Sequence, residues 1–82
     1  MKRTMTALAN HPRIAQDPTI MGGKPCIAGT RIPVDLLLRK LAAGETREQL
    51  LGDYAGLVAA DLDAALNYAA ALAAGERLVA AE

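Results

Sequence analysis

Apolar residues in the second half of the chain recur at helical spacing. The first such stripe, at i, i+3, i+4 and i+7, consists of Val34, Leu37, Leu38 and Leu41. Pro33 suits the first turn of a helix, because the N–H that proline lacks is not needed there. Gly44 stands where a left-handed residue commonly ends a helix. The pattern therefore predicts a helix over residues 33–43.

Two further helices are predicted after short connections. Thr46 to Gln49 have the form of a capping box, which predicts a second, short helix that ends near Asp53. A turn over residues 53–57 leads to the third and longest helix, for which Gly75 is the expected stop. The inward face predicted for this helix consists of Val58, Leu62, Ala65, Leu66, Ala69 and Leu72.

The residues before Pro33 do not follow a helical pattern. In residues 19–32 the apolar side chains come in pairs broken by glycine and proline, which predicts two or three short strands joined by glycine turns, and Ile14 could lead another strand. Residues 1–12 are predicted to be a flexible basic tail, residues 13–75 a single domain and residues 76–82 a C-terminal tail. The expected fold is mainly α, with short N-terminal β-strands followed by three helices. Helices two and three have the dimensions of a helix-turn-helix, although a plain three-helix bundle fits the periodicity equally well.

The amino-acid composition excludes several classes of function. The chain has 82 residues, 52% of them hydrophobic, which is enough for one domain with a modest core. Tyr54 and Tyr68 are the only aromatic residues apart from one histidine, too few for a surface that stacks nucleic-acid bases. A single cysteine forms no internal disulfide and indicates a reducing compartment, and no apolar run approaches the roughly 20 residues of a membrane span. A cytoplasmic protein is therefore expected.

No set of residues forms a catalytic or metal-binding pattern. Residues 22–24, Gly-Gly-Lys, resemble part of a phosphate-binding loop, but Pro25 follows them and removes a backbone N–H that such a loop uses. Cys26 has apolar neighbours, and the only histidine, His11, is expected in the solvated tail, so a buried structural thiol is the favoured interpretation. One cysteine and one histidine also cannot make a zinc site within one chain. Neither an enzyme nor a cofactor is predicted.

Charge is distributed unevenly along the sequence. Residues 1–40 carry seven basic and two acidic side chains, 7 − 2 = +5, and residues 41–82 carry two basic and seven acidic ones, 2 − 7 = −5. The third helix, which would be the recognition helix of a helix-turn-helix, has Asp61 and Asp63 in its first turns, where they complement the helix dipole but would repel phosphates. DNA contacts are therefore expected from the basic half, together with one base-reading side chain on the third helix. The candidates are Lys2, Arg3, Arg13, Lys24, Arg31, Arg39, Lys40 and Asn67.

Over roughly residues 13–75 the chain resembles a known family. The resemblance is carried by DPTIMGGKPCIAGTRIPVDLLLRKLAAGETREQLLGDYAGL, residues 17–57, and DLDAALNYAAA, residues 61–71. Both runs are similar to the bacterial and archaeal domain-of-unknown-function family 433. Family members commonly have proline after Tyr54 and a Ser or Thr cap after Leu57, whereas Ala55 and Val58 stand here. Asp61 is expected to replace part of the missing cap.

The resemblance implies a homeodomain-like three-helix fold whose N-terminal strands pair between two chains in a homodimer. It also implies a VapB-like antitoxin that has no catalytic residues and that binds a PIN-like ribonuclease toxin and operator DNA. A basic segment or an inserted arginine would complement the carboxylate–metal centre of such a nuclease, so Arg77 or the basic half is expected to contact the toxin. Arg31 is expected to hold a turn or a carboxylate within the domain. The alternative function is a protein-interaction module with no DNA binding.

Overall fold

The part of the chain that the structure describes folds into three short strands and three helices. The computed structural model describes residues 6–77. The strands are β1 (Thr6–Leu8), β2 (His11–Gln16) and β3 (Cys26–Ile27), and the helices are α1 (Val34–Ala42), α2 (Arg47–Asp53) and α3 (Ala59–Ala73). A short 3-10 turn over Met21–Gly23 connects β2 to β3. The prediction of a mainly helical fold with strands before three helices is confirmed at this level.

The three strands form one antiparallel sheet in the order β1-β2-β3. Ile14 of β2 faces Ile27 of β3 in the register, and Ala15 faces Cys26. The β1–β2 pairing shifts register between Ala7 and Leu8. The sheet lies against α3, which α1 and α2 also contact, so α3 is the central helix of the domain.

One apolar core joins the sheet to the helices. Its buried members are Leu8, Ile14, Ile27, Val34, Leu37, Leu50, Leu57, Leu62, Ala65 and Tyr68. Ile32, Leu38 and Leu41 pack against it at its edge, which confirms the stripe predicted for α1. Among the residues described, no helix combines the length and apolarity needed to cross a bilayer.

Helix ends follow the local signals in the sequence. The hydroxyl of Thr46 accepts a hydrogen bond from the Gln49 N–H at 3.0 Å, and the Gln49 amide oxygen accepts one from the Thr46 N–H at 2.7 Å, which completes the predicted capping box of α2. Gly44 and Gly75 have φ of +99° and +76°, the left-handed conformation that favours glycine after a helix end. Pro33 is the residue before α1 and has an extended conformation, so the helix begins one residue later than predicted.

Two predictions about the elements are wrong. Residues 6–12 are not a loose tail, because they form β1 and the start of β2, and only residues 1–5 of that segment lie outside the described chain. Residues 19–32 contain one short strand and a 3-10 turn, not two or three strands.

The predicted inward face of α3 is also wrong in part. Leu62 and Ala65 are buried as expected, but Val58 is 49% exposed, Leu66 44% and Leu72 51%. The side of α3 that points inward instead carries Asp61, Leu62, Ala65, Tyr68 and Ala71. The helix is rotated towards the contacts that β2 makes with Asp61 and Tyr68.

Candidate functional site

A buried carboxylate joins β2 to the start of α3. Asp61 is only 5% exposed, and its Oδ1 accepts a hydrogen bond from Nη1 of Arg13 at 3.0 Å. Its Oδ2 accepts the N–H of Val58 at 3.0 Å, at a position where valine has no side-chain acceptor to cap the helix. Asp61 therefore replaces part of the cap, as predicted, and Arg13 uses one of its N–H groups for an internal ion pair.

The second aspartate of α3 pairs with α2. Nη2 of Arg47 lies 2.9 Å from Oδ1 of Asp63 and 3.4 Å from the carbonyl oxygen of Ala59. Arg47 was not among the predicted site residues, because a contact across sixteen residues leaves no local signal in the sequence. Both carboxylates in the first turns of α3 are thus neutralised by arginines from other elements.

Two of the predicted DNA-contacting cations meet at one carboxylate. Oδ2 of Asp35, in the first turn of α1, lies 3.3 Å from Nζ of Lys24 and 3.7 Å from Nε of Arg39. Burial acts to raise the pKa of Asp35, but the Lys24 ammonium and the Arg39 guanidinium together outweigh burial and lower that pKa below its ordinary value. Two cations thus share one anion at this end of α1.

A fourth carboxylate, that of Glu45, pairs with Lys40. Its Nζ lies 3.3 Å from Oε2 of Glu45, just beyond the end of α1. The hydrogen bond to Glu45 is the main reason that the pKa of Lys40 is raised. Lys40 is therefore paired with a carboxylate of the chain itself, as are Arg13, Lys24 and Arg39. The carboxylates of these pairs lie on different parts of the fold.

Two of the remaining predicted cations have no such partner among residues 6–77. Arg31 and Arg77 are exposed and make no hydrogen bond or ion pair with any residue in the described range. The expectation that Arg31 holds a turn is wrong, since Thr30 does so: its hydroxyl donates to the Ile27 carbonyl at 2.7 Å and accepts the Ile32 N–H at 3.0 Å. Lys2 and Arg3 lie outside the described residues.

His11 is part of the folded domain and not of a solvated tail. Its ring lies edge-to-face against Tyr68, with centroids 5.6 Å apart and an interplanar angle of 87°. Burial raises the pKa of the Tyr68 hydroxyl. The contact places the start of β2 beside the middle of α3.

Two cavities flank this ring pair. The polar cavity, of about 380 Å³, lies between α3 and the β1–β2 connection and is lined by Asn10, His11, Pro12, Arg13, Ala64 and Asn67. The apolar cavity, of about 290 Å³, lies between α3 and α1 and is lined by Lys24, Pro25, Val34, Asp35, Leu38, Tyr68 and Leu72. Two predicted site residues, Arg13 and Asn67, are thus brought together in the polar cavity.

The cysteine is structural, as predicted. Cys26 is fully buried, and its Sγ lies 3.5 Å from the carbonyl oxygen of Lys24. Burial raises the pKa of the thiol above its ordinary value of 9.0, which disfavours the reactive thiolate. Within residues 6–77 no group of three or more His, Cys, Asp or Glu side chains could hold a metal ion.

Comparison with known proteins gives one match. The model of a family described as a protein of unknown function, DUF433, matches residues 14–69, more than half of the chain. No curated protein matches, and no solved structure matches. The match confirms the family resemblance found in the sequence.

Proposed function

The chain belongs to the DUF433 family of proteins of unknown function, and we propose that it is a non-catalytic, antitoxin-like domain that acts by binding a partner protein. The partner that the family resemblance implies is a PIN-like ribonuclease toxin. The observation that carries the proposal is the internal pairing of the basic side chains. Arg13, Lys24, Arg39 and Lys40 neutralise the chain's own carboxylates, while Leu72 of α3 stays exposed.

A protein partner suits this surface better than a nucleic acid does. Phosphate contacts supply much of the affinity for DNA and need cations that are free to replace counterions. Cations already paired within the fold release fewer counterions, and the apolar side chain of Leu72 makes no favourable contact with a phosphate. Exposed apolar side chains beside charged ones are instead typical of surfaces that bind proteins.

The lack of catalysis is supported by the state of the nucleophile and base candidates. Cys26 is buried, and burial raises its pKa, so the thiol is protonated and inaccessible. The ring of His11 packs against Tyr68 rather than against a nucleophile. A catalytic pair needs its members within hydrogen-bond reach.

The test is co-expression with the product of the neighbouring gene, which the family resemblance implies to be a PIN-like ribonuclease. We expect the two chains to elute together in size-exclusion chromatography and the complex to cleave RNA more slowly than the ribonuclease alone. Arg77→Glu and Arg31→Glu reverse the two exposed cations that, within residues 6–77, have no partner, so both variants should fold normally. Weaker inhibition by Arg77→Glu alone would identify the arginine that contacts the nuclease. Separate elution with unchanged ribonuclease activity would refute the proposal.

Binding to operator DNA through a helix-turn-helix of α2 and α3 is a second candidate. It is favoured by the neutralisation of Asp61 and Asp63, which removes part of the repulsion expected at the start of α3, and by the joint position of Arg13 and Asn67. Gel retardation with DNA from upstream of the gene, repeated over a salt series, tests it. Asn67→Ala should relax sequence preference if Asn67 reads a base. No retardation even at low salt would rule this candidate out.

The proposed homodimer through the N-terminal strands has one supporting feature. β1 and β3 are the edge strands of the sheet, and within the described chain β1 has no strand on its outer side. Exposed strand edges pair readily with another chain. Light scattering should give twice the monomer mass, 8.6 kDa for one chain, and Ala7→Pro, which removes a donor from β1, should shift the mass towards the monomer. A monomeric wild type would refute the dimer.

A further inference from the structure

The two cavities follow one side of α3. The helix contributes Ala64 and Asn67 to the polar cavity and Tyr68 and Leu72 to the apolar cavity. These positions have the spacing i, i+3, i+4 and i+8, which keeps them on one side of a helix. His11, which lines the polar cavity, contacts Tyr68, which lines the apolar cavity, so the two cavities are adjacent. We call this surface the α3 groove.

The polar end of the α3 groove presents unused hydrogen-bond donors. Arg13 uses Nη1 for Asp61, and its other N–H groups have no acceptor among the described residues. The amide of Asn67 and the imidazole of His11 likewise make no hydrogen bond within residues 6–77. Arginine, amide and imidazole donors around one space are suited to a carboxylate.

The apolar end of the groove is floored by carbon atoms and edged by charge. Val34, Leu38 and Tyr68 form its inner wall, and Leu72 at its open side is 51% exposed. At the edge, Lys24 and Arg39 share the single carboxylate of Asp35, which leaves an excess of one positive charge. An apolar side chain with a neighbouring acid complements this end in both shape and charge.

The two cavities lie at the lower end of the size range of small-molecule sites. Sites for cofactors and drug-sized ligands usually enclose about 300–1,000 Å³ and bury most of the ligand. Here the apolar cavity is about 290 Å³ and the polar cavity about 380 Å³, and each suits one or two side chains of a larger partner.

We propose that the α3 groove binds a segment of a partner protein that carries an apolar side chain for the Tyr68–Leu72 end and a carboxylate for the Arg13–Asn67 end. The inference rests on the proposed protein-binding function and names the surface and the chemistry of its partner. The midpoints of the two pairs of helix residues are four to five positions apart, or about 7 Å at 1.5 Å per residue. That distance matches residues i and i+4 on a partner helix, or i and i+2 along an extended strand.

Two exposed leucines of α3 allow a matched test. Leu72 lines the α3 groove, whereas Leu66, 44% exposed, lies on another side of the same helix. With the proposed PIN-like ribonuclease partner as the probe, we expect Leu72→Glu to weaken binding at least about tenfold. Asn67→Glu, which opposes a partner carboxylate at the polar end, should also weaken binding, and Leu66→Glu should leave it within about threefold.

The outcomes distinguish failure of the α3 groove proposal from failure of the proposed protein-binding function. Equal loss from Leu72→Glu and Leu66→Glu, or loss from neither variant, would overturn the α3 groove while the protein-binding function stands. Circular dichroism of each variant checks that the helices remain, and a Leu72→Ala variant, which adds no charge, serves if Leu72→Glu does not fold. Leu72→Ala should weaken binding in the same direction and by less.

A second probe tests the ligand chemistry proposed for the α3 groove even if the ribonuclease does not bind. Two short helical peptides differ only in carrying Leu and Glu, or Leu and Lys, at positions i and i+4. In NMR titrations the Leu/Glu peptide should shift the amide signals of Asn67, Tyr68 and Leu72, and the Leu/Lys peptide should shift them less. Equal shifts with both peptides, or shifts located elsewhere, would refute the proposed chemistry.

Discussion

Asp61 is the residue on which the start of α3 depends. A carboxylate that is 5% exposed loses most of its hydration, and its two oxygens are satisfied by Arg13 and by the Val58 N–H. Removing one partner of a buried charge leaves the other uncompensated, which destabilises more than the ion pair itself contributes. Arg13 is itself half exposed, so water can replace part of the lost contact.

Arg13→Ala should therefore lower the free energy of unfolding by about 1–3 kcal/mol, since the Asp61 carboxylate loses a charged donor. Arg47→Ala is the matched control. It breaks a pair that is 40% and 64% exposed, and such a pair contributes at most about 1 kcal/mol. Urea unfolding followed by circular dichroism measures both. Equal losses in the two variants would contradict the structural role of Asp61.

Cys26 should report on opening of the whole core. The thiol is buried, and burial raises its pKa, so the folded state holds its proton more tightly than the unfolded state. Its contribution to stability is complete below the ordinary pKa of 9.0 and is lost as the pH rises through the higher folded value. Alkylation of the native protein should be slow and should accelerate with urea in parallel with unfolding. Fast alkylation without urea would show that the site opens locally.

At the scale of elements, α3 has an incomplete N-cap. Val58 stands at the cap position with extended backbone angles and 49% exposure, and only the Asp61 side chain completes the hydrogen bonding there. Val58→Ser supplies an acceptor for the first-turn N–H groups and should stabilise the domain by about 0.5–2 kcal/mol. Val58→Ala, which supplies none, is the control and should lack this gain. A thermal melt compares the Tm of the two variants with that of the wild type. An equal shift of Tm in both variants would contradict the incomplete N-cap as the cause.

The helix ends and the first core stripe could be predicted because their causes are local. The capping box at Thr46, the glycine after α1 and the spacing of Val34, Leu37 and Leu38 each act within a few residues. The orientation of α3 could not be predicted in this way. That helix is rich in alanine, so its apolar residues mark no single face, and contacts from β2 to Asp61 and Tyr68 decide which side is buried.

The candidate site was predicted only in its parts. Arg13 and Asn67 were selected for charge and for base-reading chemistry, and the fold brings both to one cavity. The contacts of Lys24 with Asp35 and of His11 with Tyr68 could not be predicted, since pairing across elements depends on the tertiary fold. Arg39, by contrast, pairs with Asp35 at i,i+4 spacing within α1. β1 was missed because a three-residue strand is too short to show an alternating pattern.

At the scale of the whole molecule, charges that are segregated along the sequence meet in the fold. Arg13 and Lys40 of the basic half pair with Asp61 and Glu45 of the acidic half. Opposite charges of the two halves of the sequence thereby form contacts between β2 and α3 and at the end of α1. In the ion pairs of residues 6–77 five cations meet four carboxylates, and the excess cation lies at Asp35.

That local excess predicts how stability depends on pH. Lys24 and Arg39 overcome the effect of burial and lower the pKa of Asp35, so the unfolded state takes up this proton more readily than the folded state. The stabilisation is complete above the ordinary pKa of 3.8 and is lost as the pH falls through the lower folded value. Because the Asp35 side chain is 42% exposed, Asp35→Asn should lower the free energy of unfolding at neutral pH by no more than about 1 kcal/mol.

Urea unfolding of wild type and Asp35→Asn over an acid series measures this effect. The difference between the two proteins should shrink towards zero below the folded pKa of Asp35, where the wild-type carboxyl is also neutral. Salt at about 1 M, where the screening length falls to about 3 Å, should shrink the same difference at neutral pH. A difference that stays constant through the acid range would mean that Asp35 acts through packing or helix capping and not through the charges of Lys24 and Arg39.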